Sequence, residues 1–264
     1  MHASQAVMSV KLYLPFAVTG FAGRAMAAVM MCASAALAAP SASQYDACLN
    51  RAQTDPSGAL LLASAWSKSG GAAPAEHCAA VALVGLRRFT EAGTKLDALG
   101  QSPATGDAGM RTAIYDQAGN AWLLGGQPDR AINSFTAALA IDPLDADLLA
   151  DRARANALKR NWAKAESDLT AALLVNPDRA DLYVLRGSAR HGMGRRAEAR
   201  VDFEHALKLQ PNNADALVER GTAKLEDGDV AGARADWQRA MTIAPGTAAA
   251  ESARQHLEDS IPAK

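Results

Sequence analysis

Four prolines, Pro143, Pro177, Pro211 and Pro245, recur at intervals of 34 residues without slippage. A period this strict restricts the chain more than any single residue does. It demands one supersecondary unit, made four times and stacked on itself. A unit of that length cannot bury its own apolar face, so each copy must find its core against a neighbour.

Rows beginning at Thr112, Ala146, Ala180 and Ala214 bring further columns into line. Small residues form three of them: Gly119, Ala153, Gly187, Gly221; then Ala131, Ala165, Ala199, Ala233; then Ala138, Ala172, Ala206, Ala240. Large apolar residues form two more, Tyr115, Leu149, Tyr183, Leu217 and Phe135, Leu169, Phe203, Trp237. Small positions set against large ones at helical spacing describe two antiparallel helices in close approach. Gly126, Gly194 and Gly228 turn the chain between them, with Arg160 in that place in the second row, and the proline ends the second helix. Asp145, Asp178 and Asn213 are expected to cap the next first helix, and Asp147, Asp181 and Asp215 to complement its dipole. Composition agrees: 49% of residues are hydrophobic, alanine prominent among them, and only 5% are aromatic. That balance favours helix over strand.

These columns resemble the tetratricopeptide repeat, in four copies over 112–145, 146–179, 180–213 and 214–247. The resemblance implies an all-α fold, a right-handed superhelical stack of helix–turn–helix hairpins closed by a C-terminal capping helix within 248–264. Glu251, Gln255 and Glu258 would face outward from that cap. The family usually places tyrosine where this chain has Trp122, Asn156, Arg190 and Lys224. The resemblance further implies a concave groove lined by the first helix of each hairpin, which in this family typically holds a peptide or a partner helix. Helical spacing assigns to it Asp116, Asn120 and Leu123, then Ala150, Arg154 and Ala157, then Val184, Ser188 and His191, then Val218, Thr222 and Leu225. Asn120 and Arg154 are its expected polar anchors. Members of the family that hold a carboxylate repeat Lys and Asn at such places, and Asp116 and Ala150 do not supply that pattern.

Two columns vary together. Arg152, Arg186 and Arg220 share one place and Asp168, Asp202 and Asp236 another, while the first row has Ala118 and Ser134 there. Arginine and aspartate are present together or not at all, the signature of structural ion pairs. Pairing within a repeat and pairing of each Asp with the next row's Arg both fit. The second is expected, because it gives Asp236 a partner in Arg254 of the capping helix.

The N-terminal part differs in character. Lys11 and Arg24 precede an apolar run from Ala25 to Ala39 that ends in Ala36-Leu37-Ala38, which reads as a signal peptide over residues 1–38. With that leader the chain resembles exported bacterial members of the family, and a periplasmic location follows. Residues 39–110 read as four short helices, a pair of degenerate repeats, ending in a linker over 101–109. In an exported chain, Cys48 and Cys78 are expected to form a disulfide that contributes about 3.6 kcal/mol by loop entropy. Free thiols are the weaker alternative. A metal site with His77 is weaker still, lacking a fourth ligand.

Nothing in the chain points to catalysis or a cofactor. His191, His205 and His256 are scattered, with no nucleophile elbow and no phosphate-binding glycine loop. Lysine and arginine number 27 against 28 aspartates and glutamates, a formal net charge of −1, so bulk attraction to nucleic acid is not expected. The basic cluster Arg190, His191, Arg195, Arg196 and Arg200 reads as a solvated turn balanced by Glu198, Asp202 and Glu204. The expected partner is another protein or peptide of the cell envelope, with no membrane span left after leader cleavage and the oligomeric state open. A subunit docking through residues 39–110 is the alternative.

Overall fold

The structure, a computed structural model, describes residues 42–260. The expected leader lies outside the described residues, as does the end of the tail. What is described is helical throughout: α1 Ala42–Thr54, α2 Pro56–Trp66, α3 Ala72–Gly85, α4 Phe89–Gln101, α5 Ala108–Leu124, α6 Pro128–Ile141 and α7 Ala146–Leu158. Then follow α8 Trp162–Val175, α9 Ala180–Gly192, α10 Arg196–Leu209, α11 Ala214–Glu226, α12 Val230–Ile243 and α13 Ala248–Asp259. Each helix packs on the next, and alternate helices of the array (α5, α7, α9, α11, α13) touch in series. That is a stack of hairpins. No helix among the described residues is long and apolar enough to cross a membrane.

The repeat is held by a knob in a notch. A Cβ added to Gly119 would lie 2.4 Å from the Phe135 ring, and one at Gly187 would lie 2.4 Å from Phe203. Glycine is therefore the side-chain size that lets α5 meet α6 and α9 meet α10. The second row shows the same volume divided otherwise, Ala153 facing Leu169 in place of a glycine facing an aromatic ring. Phe135, Phe203 and Trp237 are fully buried, as are the alanines at 131, 165, 199 and 233. The turns repeat too. Gly126, Gly194 and Gly228 have φ of +68°, +77° and +87°, and Arg160 adopts +57° in the same place. A left-handed turn costs a residue with a Cβ about 1–2 kcal/mol, so the second turn is the strained one.

Helix starts follow local chemistry. The Asp145 carboxylate accepts from the N–H groups of Asp147 and Leu148, and Asn213 Oδ1 accepts from Ala216 N–H. Asp178 does not cap. Arg179 occupies the N-cap of α9 without a capping bond and turns its guanidinium to Asp181 and Asp147. Likewise α5 begins a turn before Thr112, because Asp107 accepts from Met110 N–H. The linker expected over 101–109 shrinks to a 3-10 turn, Pro103–Thr105, and its flanks.

At the N-terminal end α1–α2 and α3–α4 extend the stack, with α4 against α5. Cys48 and Cys78 are fully buried with Cα atoms 6.0 Å apart and their sulfurs in bonding geometry, so α1 and α3 meet there. Beside them His77 Nε2 lies 2.7 Å from Gln117 Oε1, and Tyr45 bonds Nδ1. An amide oxygen only accepts, so Nε2 carries the proton and Nδ1 accepts from Tyr45. This chain of bonds ties α1 and α3 to the first repeat. Burial holds His77 below the usual imidazole range, with the Gln117 bond opposing only in part. At the other end α13 covers α11 and α12. Ala250 and Ala253 are buried, Glu251, Gln255 and Glu258 are exposed, and His256 stacks on Trp237 at 5.1 Å.

Candidate functional site

The ion pairs form within repeats, correcting the expected pairing between rows. Arg152 is bidentate to Asp168, with bonds of 2.9 and 2.7 Å; Arg186 to Asp202, 3.0 and 2.7 Å; and Arg220 to Asp236, 2.8 and 2.6 Å. Arg254 pairs with Glu251 of its own helix. The reason is geometric: the arginine on a first helix faces the aspartate on the second helix of the same hairpin, where a planar fork meets both carboxylate oxygens. Three of the four departures from tyrosine now have an account. Arg190 reaches Asp202 at 2.8 Å and Lys224 reaches Asp236 at 2.9 Å, a second cation on each buried carboxylate. In the first row Trp122 and Ser134 occupy the corresponding places, and both donate to Asp97 of α4, at 2.8 and 2.7 Å. The carboxylate is supplied from the preceding hairpin.

The basic cluster at the third turn is neutralised by its surroundings. Arg190 and Arg195 share Glu166, Arg195 also holds Glu198, and Arg196 and His191 meet on Glu226. Arg200 reaches Glu204 and Asp227. Its partners include Glu166, Glu226 and Asp227, contributed by neighbouring repeats.

The face shared by α5, α7, α9 and α11 carries the residues assigned to the groove. Leu123, Ala150, Ala157, Val184 and Val218 are buried and form its floor. Asp116, Asn120, Arg154, Ser188, His191 and Thr222 are partly exposed above it, and Leu225 stands at its edge. The hydroxyls of Ser188 and Thr222 donate to the carbonyls of Val184 and Val218, at 3.0 and 3.1 Å, so these side chains present methylene and methyl surface. Asn120 donates to Asp116 at 3.0 Å, Arg154 pairs with Asp151, and His191 lies 2.9 Å from Glu226 of α11.

Sequence spacing missed much of the charge. Asp147 and Asp151 lie near enough to Asp116 to act on it, and Asp215 to act on Glu219; Arg179 bridges Asp147 and Asp181, and Glu226 holds His191, which gathers these carboxylates at the face or its rim. Asp147, Asp181 and Asp215 also sit in the first turns of their helices, and the dipole role concealed the second one. The steps from Asp147 to Asp151 and from Asp215 to Glu219 are each one helical turn, the signal that would have found them. Burial, joined by repulsion from Asp151, Asp145 and Asp147, pushes Asp116 up to about 7. Burial likewise pushes Glu219 up to about 7, opposed by His191 and joined by Asp215. Among the described residues no group of His, Cys, Asp or Glu is arranged to hold a metal ion.

Paired antiparallel helices stacked at a fixed period, with one helix of each pair lining a common face, define an α-helical solenoid. A tetratricopeptide-repeat family model matches residues 115–173 and 185–253. The tetratricopeptide domain of Arabidopsis OM64 is 31% identical, aligned over 45% of this chain and 98% of that one, with a TM-score of 0.44. The stretches that the family model matches, residues 115–173 and 185–253, carry tetratricopeptide repeats. MamA from Desulfovibrio magneticus RS-1 has a similar fold at 20% identity, over 60% of this chain and 88% of that one (TM-score 0.52). So does YrrB at 19% identity, over 73% and 96% (TM-score 0.53). Among curated proteins none matches at a significant level.

Proposed function

We propose that this chain is an exported, periplasmic adaptor that holds a segment of another envelope protein in its concave groove and does no chemistry itself. The observation that carries the reading is the groove. Four helices present an apolar floor under partly exposed polar side chains, whose hydrogen bonds and ion pairs close mostly on their own helices. Proteins of this family mediate protein–protein and protein–peptide interaction, and YrrB is described as having an unusual peptide-binding site. Export is supported by the charged start and apolar run of residues 1–38, and by Cys48 and Cys78, whose pairing geometry suits an oxidising compartment.

The test is capture in cells. A tagged chain is cross-linked in intact bacteria, and its partners are identified by mass spectrometry. Ser188→Trp and Thr222→Trp each place an indole in the groove, and circular dichroism checks that both variants fold. Partners held by the wild type and lost by both variants are the expected result. A partner that survives both would move the interface to the N-terminal hairpins and overturn the groove reading. N-terminal sequencing of the recovered protein should begin at Ala39; retention of residues 1–38 in the cytoplasm would overturn the location.

A further inference from the structure

The charges of this protein nearly cancel overall, 28 acidic against 27 basic, yet they are not evenly spread. On and beside the concave face stand Asp116, Asp145, Asp147, Asp151, Asp181, Asp215, Glu219 and Glu226. Among the described residues the cations paired with them are Arg154, Arg179 and, at Glu226 alone, Arg196 and His191, each already committed to carboxylates. Elsewhere in the array the buried carboxylates are matched, Asp168 by one arginine and Asp202 and Asp236 by two cations each. The excess negative charge belongs to the groove.

It gathers at two ends. Between α5 and the connection into α7 lies a cavity of about 460 Å³, its wall including Thr112, Asp116, Asp142, Asp145, Asp147 and Leu148. Asp116 there has a neutral amide as its hydrogen-bond partner, and Asp142 makes no ion pair among the described residues. Three hairpins along, on α11, Glu219 is partly buried, with His191 near enough to act on it but bonded to Glu226 instead. Neither hydrogen bond nor ion pair holds its carboxylate among the described residues. Partly buried carboxylates that no ion pair holds are costly to keep ionised, and an incoming cation relieves that cost in proportion to its fit. Between the two ends runs the apolar floor with Val184 and Val218, which suits a chain of side chains rather than a free ion.

We propose that the groove selects a cationic peptide segment of the partner protein, one Lys or Arg seated in the cavity beside Asp116 and a second in front of Glu219. The inference rests on the groove reading and adds the chemistry of the occupant. A carboxylate-ended or acidic segment would meet the same face with like charge.

The test uses the full chain and three fluorescent helical peptides of one apolar pattern, carrying lysines, glutamines or glutamates at the same polar positions. Anisotropy titration should give the lysine peptide about tenfold tighter binding than the glutamine one, and none for the glutamate one. Its affinity should fall several-fold from about 50 mM to about 300 mM salt. Asp116→Asn with Glu219→Gln should weaken the lysine peptide about tenfold while leaving the glutamine peptide unchanged. Equal binding of the three peptides, preference for the glutamate one, or failure of all three to bind overturns the inference. So does indifference of the lysine peptide to the double substitution. Ser188→Trp separates the two readings. Charge-blind binding that this variant abolishes leaves the groove reading standing and removes only the cationic occupant, whereas lysine-peptide binding that survives it removes both.

Discussion

Asparagine in place of Asp116 keeps the shape of the side chain and removes its charge. It can still accept the bond that Asn120 donates at 3.0 Å. The folded protein raises this carboxyl from 3.8 to about 7, burial first and the neighbouring aspartates after it. A carboxyl with a raised folded pKa binds more protons in the folded than in the unfolded state, so stability falls as pH rises from about 4 to about 7. At about 1.4 kcal/mol per unit the full penalty is roughly 4 kcal/mol, and solvent reaching the groove reduces it to about 1–2 kcal/mol. The asparagine variant lacks that titration. Urea unfolding of both proteins should give equal stability near pH 4 and a variant more stable by about 1–2 kcal/mol near pH 8. A difference that does not change with pH, or a wild type more stable near pH 8, would refute the claim that Asp116 is an uncompensated charge. The same substitution should weaken cationic peptides, so stability and affinity would move in opposite directions, as they do where a site keeps groups its own fold cannot satisfy.

Asp202→Ala leaves Arg186 and Arg190 facing each other without their shared carboxylate and should cost about 3–5 kcal/mol; Asp168→Ala, which strands one arginine, should cost less, and denaturant midpoints rank the two. Arg160→Gly relieves the left-handed turn of the second repeat and should raise stability by about 0.5–1 kcal/mol in the same assay. Reduction of the Cys48–Cys78 pair should lower stability by about 2–4 kcal/mol, with hydrogen exchange rising first in α1 and α3. Below about pH 6.5 the depressed His77 costs stability as its unfolded counterpart takes up a proton. His77→Gln should therefore flatten the acid limb of the stability profile between His77's folded pKa and about 6.5.

The architecture was legible because its causes repeat. A glycine facing a phenylalanine is a weak observation once and a strong one when the second row answers with alanine facing leucine. The turn position was equally plain, and Arg160 confirms it by adopting the glycine conformation at a cost. The partner of each arginine was not legible, since columns report covariation and not which of two faces an arginine extends along. The geometry decided for the same hairpin, and what spoke for the other choice, Arg254, proved to serve Glu251 one turn away. Asp178 misled for a related reason. Either of two adjacent residues can begin a helix, and Arg179 was held in the starting position by its bonds to Asp181 and Asp147.

The groove was half legible, and the missing half is the informative one. Residues chosen by spacing along one stripe gave the floor and its hydroxyls, whose bonds close on their own helices. The acidic stripe beside it was assigned to helix dipoles, a sufficient explanation for Asp147, Asp181 and Asp215 taken singly. It does not extend to Asp116, Asp151 or Glu219, which lie beyond the first turn, where a dipole no longer favours negative charge. Burial alone would select against Asp116 and Glu219, as their raised values register, while Asp151 has Arg154 beside it. Folding gains nothing from an enclosed carboxylate without a cation, while binding one gains from it directly. The residues that the repeat's own stability does not explain are therefore the ones to assign to what the groove holds.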